Sequence, residues 1–138
     1  MGSPADLFHR LASEVISGGN LDIIPDLVTD DYVDHTGGDG GPQGYRETVE
    51  FVRNIFPDIK MTVEDTIEQG DKVAARFTIT ATHDNEFMGF APTGRKLSWA
   101  GVGIVRVIDG KMAERWNVSD LLAAIEQIQG LTDDDPAG

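Results

Sequence analysis

A chain of 138 residues, 40% of them hydrophobic, can bury one sizeable core but is too short for a second independent domain. The absence of cysteine removes disulfides, thiolate metal ligands and cysteine nucleophiles together. Eleven Lys and Arg against 24 Asp and Glu give a formal net charge of −13, which repels phosphate backbones and anionic lipid and makes nucleic acid and membranes poor partners. No stretch approaches the roughly 18 apolar residues of a membrane helix, and the start lacks a basic, hydrophobic signal pattern. The expectation is a soluble, cytoplasmic protein with one domain over residues 1–130 and an acidic, disordered tail over 131–138.

Leu7, Leu11 and Val15 recur at helical spacing, with Phe8, Ala12 and Ile16 beside them. They predict a first helix from Pro4 to Ile16, ended by Gly18-Gly19. Asn20 is placed to cap a short second helix carrying Leu21, Ile24, Leu27 and Val28. Tyr32 to His35 reads as a short strand. Thr36 to Gly44 holds five glycines and a proline and reads as a loop, and its spacing does not match a phosphate cradle. Tyr45, Val49, Val52 and Phe56 stripe a third helix that Pro57 terminates.

The period then changes from helix to strand. Lys60 to Glu68 and Lys72 to His83 are strands joined at Gln69-Gly70-Asp71, and Lys96 to Ile108 turns at Asp109-Gly110 into Lys111 to Asn117. Val73, Ala75, Phe77, Ile79 and Ala81 share one face of the second strand, opposite Arg76, Thr78, Thr80 and Thr82, as a sheet with one buried side requires. Ser119 is the expected cap of a last helix carrying Leu122, Ile125 and Ile128 and closed by Gly130. Helices followed by a long antiparallel meander predict an α+β domain, with the sheet curled into a cone whose open mouth is the default ligand site.

Several side chains are candidates for that site. Trp99 shares a face with Gly101 and Gly103, which omit side chains and leave a slot for a flat hydrophobic ligand. Trp116 alternates with Asn117 and is expected beneath the helices or at the rim, its indole N–H near Asp120 or a backbone carbonyl. Phe87, Met88 and Phe90 stand in a loop punctuated by Gly and Pro, where apolar residues lid a mouth or meet a second subunit. His83 reads as a solvated turn residue, and His9 has no assigned role. The one adjacent ligand pair, Asp34-His35, diverges across a strand, and no helical His or Glu spacing suits a metal, so no metal is expected. No Gly-Xaa-Ser-Xaa-Gly elbow supports a serine nucleophile.

Four segments carry a resemblance: Asp31-Tyr32-Val33-Asp34-His35, the stretch from Phe87 to Arg95 (FMGFAPTGR), Arg106 to Lys111 (RVIDGK), and Glu114-Xaa-Trp116 followed by Asp120. With these the chain resembles the SnoaL-like polyketide cyclases, a family of the NTF2-like, cystatin-like cone superfamily. The resemblance implies a curved antiparallel sheet wrapped around three N-terminal helices, no metal or organic cofactor, and ring closure by intramolecular aldol condensation. It also implies a homodimer through the outer face of the sheet, with Thr80, Thr82, Ser98 and Ala100 in the interface. The family's acid/base position falls on Asn117, its histidine on Gly103 and its first-strand polar residue on Asp34. Asparagine takes up no proton at ordinary pH, so the roles must be redistributed.

Within this resemblance Asp34 is the expected general base, strengthened by desolvation in an apolar cone. Asn117 would donate a hydrogen bond to the enolate oxygen of a small hydrophobic carbonyl or polyketide-like substrate. His35, bent toward the mouth, would pair with Asp120. Two alternatives stand beside this cofactor-independent cyclase or isomerase. One is an epoxide hydrolase or dehydratase using Asp34 and Asp120 around a water, and the other is a non-catalytic small-molecule-binding protein.

Overall fold

A computed structural model describes residues 2–131, and the predicted disorder of residues 132–138 lies outside the described residues. Helix α1 (Pro4–Arg10) opens on a reciprocal cap, in which Ser3 Oγ accepts from the Asp6 N–H and the Asp6 carboxylate accepts from the Ser3 N–H. It runs on as a wider π-wound segment, Leu11–Ser17, so the predicted apolar stripe stays buried through Val15 while the winding loosens. Asn20 makes no side-chain cap. A 3₁₀ turn, Leu21–Ile23, leads into the single turn of α2 (Ile24–Leu27).

Strand β1 (Val28–Asp34) starts at the residue expected to end the second helix. Its edge is satisfied by a neighbour distant in sequence, a constraint that local periodicity does not contain. Helix α3 (Gly41–Ile55) begins inside the predicted loop, where Gly41 takes φ +72° and Pro42 occupies the first turn. It ends, as expected, just before Pro57.

Strands β2 (Lys60–Gln69), β3 (Lys72–Thr82), β4 (Lys96–Ile108) and β5 (Lys111–Ser119) form an antiparallel run, and the sheet order is β1-β5-β4-β3-β2. Both residues of the Asp109-Gly110 turn have positive φ, the twist that a tight hairpin needs. The sheet departs from an all-antiparallel meander at one edge, where β1 lies parallel to β5. These two strands are separated by α3 and three other strands, so no hairpin imposes antiparallel pairing on them.

Register aligns three rows across the concave face. Val73, Val105 and Arg115 form one, Ala75, Gly103 and Asn117 the next, and Phe77, Gly101 and Ser119 the third. The first helix covers this face, and the core gathers between them around Leu7, Leu11, Val15, Val73, Phe77 and Val105. The result is the expected curved α+β cone.

Helix α4 (Leu121–Ile128) is capped by Asp120, whose carboxylate accepts from the Ala123 N–H, rather than by Ser119. Ser119 remains in β5 as the partner of Gly101. Beyond that pair β4 has no strand on its β5 side, and α4 fills the gap. Gln127 accepts from the Ser98 N–H at 2.8 Å and donates to the Ser98 carbonyl at 2.7 Å, reproducing a strand's pairing with one side-chain amide. Ser98 is therefore buried, and Thr82 is engaged by Asp58, so two residues assigned to an outer interface are occupied within the chain.

Gly101 permits the third row. A Cβ there would clash with the Phe77 ring and lie 2.9 Å from the Val118 carbonyl. Gly101→Ala is expected to destabilise the protein by about 1–3 kcal/mol through overpacking, read as a lower denaturant midpoint at unchanged slope.

Candidate active site

The cone encloses a cavity of about 280 Å³, close to the lower end of the range for small-molecule sites. Its outer part is apolar, walled by Val49, Val52, Phe56, Ile79 and Trp99. Phe56 and Trp99 pack on each other with ring centroids 5.5 Å apart and planes tilted by 53°, forming an aromatic corner of the wall. Trp99 is buried and lines the cavity as its strand position predicts, and Leu121 of α4 borders the same space.

Polarity is concentrated on one side. Arg115, Asn117 and Ser119 project from alternate positions of β5, Tyr45 comes from α3, and Thr36 and Thr48 complete the set. Asn117 is fixed at both ends, its backbone N–H donating to Thr36 Oγ1 at 2.9 Å and its Nδ2 to Ser119 Oγ at 3.4 Å. Burial pushes the Tyr45 phenol up to about 12, so it stays protonated at neutral pH and acts as a hydrogen-bond donor rather than a base. Burial likewise raises the neighbouring Tyr32 phenol, whose ring meets Tyr45 edge to face at 5.8 Å.

Asp34 stands behind this polar side, outside the cavity lining. Its side chain is 1% exposed and accepts from Arg115 Nη1 at 3.0 Å and from the Thr36 N–H at 2.8 Å. Gly38 closes over it, since a Cβ at that position would approach Asp34 Oδ2 to 2.6 Å. The guanidinium is thus the charged group that reaches the cavity, and the carboxylate is the group that holds it. Arg115 is not among the expected site residues, although its position carries the signal: two residues before Asn117 on a strand, it must share Asn117's inward face. Tyr45 was read only as part of a helical stripe.

Other expected members lie elsewhere. His35 does not reach Asp120; it faces the convex side, bonds Glu114 at 3.0 Å and stacks on Trp116 with centroids 4.6 Å apart. Strand alternation imposes this, since Asp34 takes the inward position. Trp116 is therefore neither beneath the helices nor in the cavity, and Lys72 Nζ lies 5.4 Å from its ring centroid. Glu114 is held below the usual carboxylate range, first by Arg106 and then by His35. Asp120 is the cap of α4 and borders a depression on the outer face, which removes it from any pair with Asp34 around a common water.

Phe87, Met88 and Phe90 do not line the cavity either. Phe87 packs against the back of Phe56 at 5.0 Å, Phe90 is half-buried, and Met88 is exposed at the loop tip with φ +50°. The loop is anchored by His83, which is fully buried rather than solvated, its Nδ1 2.9 Å from Thr93 Oγ1. His83 continues the inward alternation of β3, and that alternation, carried one residue further, would have placed it inside. Among the described residues no three His, Asp or Glu side chains converge as a metal site would require, and no helix is long and apolar enough to cross a membrane.

Comparison with known proteins agrees with this architecture. The sequence model for the SnoaL-like polyketide cyclases matches residues 6–128. The chain is 23% identical over 134 residues to the aklanonic acid methyl ester cyclase DnrD of Streptomyces peucetius, an alignment covering 93% of this chain and 92% of that one. It is 26% identical over 119 residues to the nogalonic acid methyl ester cyclase of Streptomyces nogalater, covering 80% and 86%. The crystal structure of wild-type IdmH from Streptomyces antibioticus superposes with a TM-score of 0.84 at 31% identity, over 93% of this chain and 99% of that one. A cone with a polar side and an apolar mouth, matched in sequence over nearly its whole length, places the chain in the SnoaL-like polyketide cyclase family.

Proposed function

We propose that the protein closes a carbon–carbon bond within a small, flat polyketide-like carbonyl compound by intramolecular aldol addition, without a cofactor. One observation carries this reading: an apolar, aromatic-walled cavity whose polar side presents one guanidinium and two neutral donors, Arg115, Asn117 and Tyr45. Such a set stabilises negative charge on carbonyl oxygen, the charge that develops in both halves of an aldol reaction.

A methylene between two carbonyls is acidic enough to lose its proton to water at the cavity mouth once the enolate oxygen is held by Arg115 and Asn117. The enolate carbon then attacks the second carbonyl carbon, and the electron pair of that C=O bond moves to its oxygen. The Tyr45 phenol protonates this alkoxide and recovers a proton from solvent. Asp34 is the positioning residue that fixes the guanidinium. Arg115 is thus offered as the principal group, in place of a carboxylate base acting directly on the substrate.

The test is incubation of the purified protein with aklanonic acid methyl ester, the compound named for a relative. An isomer of unchanged mass and new retention time should form faster than in buffer alone. No acceleration with this ester or the nogalonic ester would sink the reading. The same reading has the protein as a homodimer, because Val102 and Val118 are a cross-strand pair exposed on the convex face beside Ile104. Sedimentation velocity should show twice the 14.9 kDa chain mass, and a species at the chain mass would exclude the dimer.

A further inference from the structure

Beyond the polar side the cone does not end. A second, smaller chamber of about 50 Å³ continues toward the first helix, walled by Phe8, Leu11, Ala12, Val105 and Met112. Ile16, Tyr45, Met61, Arg115 and Asn117 border both spaces, so the donors form a collar between a large apolar room and a small one. Gly103 opens the small one. It stands across from Asn117 in the sheet and contributes no side chain to a wall where a Cβ would already lie 3.1 Å from Asn117 Oδ1 and 3.3 Å from the Phe8 ring.

We infer that this chamber is a subsite for a short alkyl substituent, one or two carbons long, attached to the carbonyl carbon whose oxygen the collar holds. The inference deepens the cyclase-type reading of the same cavity and rests on it. Size sets the limit. A cavity of about 150 Å³ takes a benzene ring, so one-third of that volume takes about two heavy atoms. Chemistry sets the class. Past the collar the walls are hydrocarbon and thioether, from Phe8, Leu11, Ala12, Val105 and Met112, so with the carbonyl oxygen occupying the donors the far end of the substituent is favoured as a methyl or ethyl group. Orientation follows from both, since a carbonyl at the collar with its ring system against Phe56 and Trp99 can direct only its remaining substituent into the chamber. Gly103 and Ala12 are therefore specificity-determining positions, one by lacking a side chain and the other by having a single methyl group.

The experiment is calorimetric titration with 1-naphthols bearing a 2-formyl, 2-acetyl, 2-propionyl or 2-pentanoyl group, against the wild-type protein and Ala12→Val. In the wild type each of the first two added carbons should tighten binding about fourfold, and the pentanoyl compound should bind at least tenfold more weakly than the propionyl. Ala12→Val fills the chamber. It should weaken propionyl binding at least tenfold more than it weakens formyl binding, with thermal melting confirming that it is folded. Affinity that rises steadily through pentanoyl, or is indifferent to chain length, in the wild type would overturn the chamber while the formyl compound's binding upheld the main cavity. Failure of the formyl compound itself to bind would overturn both readings. The wild-type series decides the matter even if the variant does not fold.

Discussion

Arg115→Met should destabilise the protein by about 3–5 kcal/mol and lower its melting temperature by roughly 10–15 °C. The asymmetry of the pair gives the reason. Asp34 is 1% exposed, whereas Arg115, at 22%, reaches the cavity. Removing the guanidinium leaves a charge deep in the protein with the Thr36 N–H as its remaining hydrogen-bond donor. Removing Asp34 leaves a cation that the cavity can hydrate, at smaller cost. The double variant Asp34→Leu/Arg115→Met removes both charges and should recover most of the lost stability, because replacing a whole buried pair with apolar groups is often close to neutral. Thermal and urea unfolding of the two single variants and the double variant measures the coupling directly. A single Arg115→Met variant as stable as the wild type would show that the pair contributes nothing to the fold.

The second large effect is on turnover. Arg115→Lys keeps the charge and most of the packing but replaces a planar fork of donors with a compact ammonium on a flexible stem. It is expected to lower kcat by about 10²–10³-fold, the loss typical for one oxyanion donor, while the melting temperature moves little. Asp34→Asn keeps one acceptor oxygen, enough for Arg115 or the Thr36 N–H but not both, so a positioning role predicts a loss of only about tenfold, with an unchanged pH profile. A loss of a hundredfold or more, accompanied by disappearance of a pH limb in kcat, would instead identify Asp34 as the proton-accepting base. The two variants read on one substrate separate a carboxylate that holds an arginine from one that does the chemistry.

Much of the architecture was legible because the patterns are local. The stripe of Leu7, Leu11 and Val15, the alternation from Val73 to Ala81 and the turns at Gly70 and Asp109-Gly110 each report on neighbours a few residues apart, and backbone period is a local property. The apolar cavity face was legible for the same reason, with Trp99, Gly101 and Gly103 where alternation put them. The limits of local reading appear where partners are far apart in sequence. Val28 extends as a strand because β5 lies beside it, and Asp120 takes the cap from Ser119 because Ser119 is committed to Gly101.

The candidate site divides along the same line. The chain alone determined that residues 111–117 form a strand, on which Arg115 and Asn117 must share a face, and that Asp34 and His35 must point apart. Only the tertiary structure decided that Asp34 meets Arg115 instead of the cavity, that His35 and Trp116 stack on the convex side, and that the space beside Gly103 remains open. These outcomes depend on how the parallel edge strand and the first helix close on the sheet, where residues about 80 positions apart, such as Asp34 and Arg115, come into register.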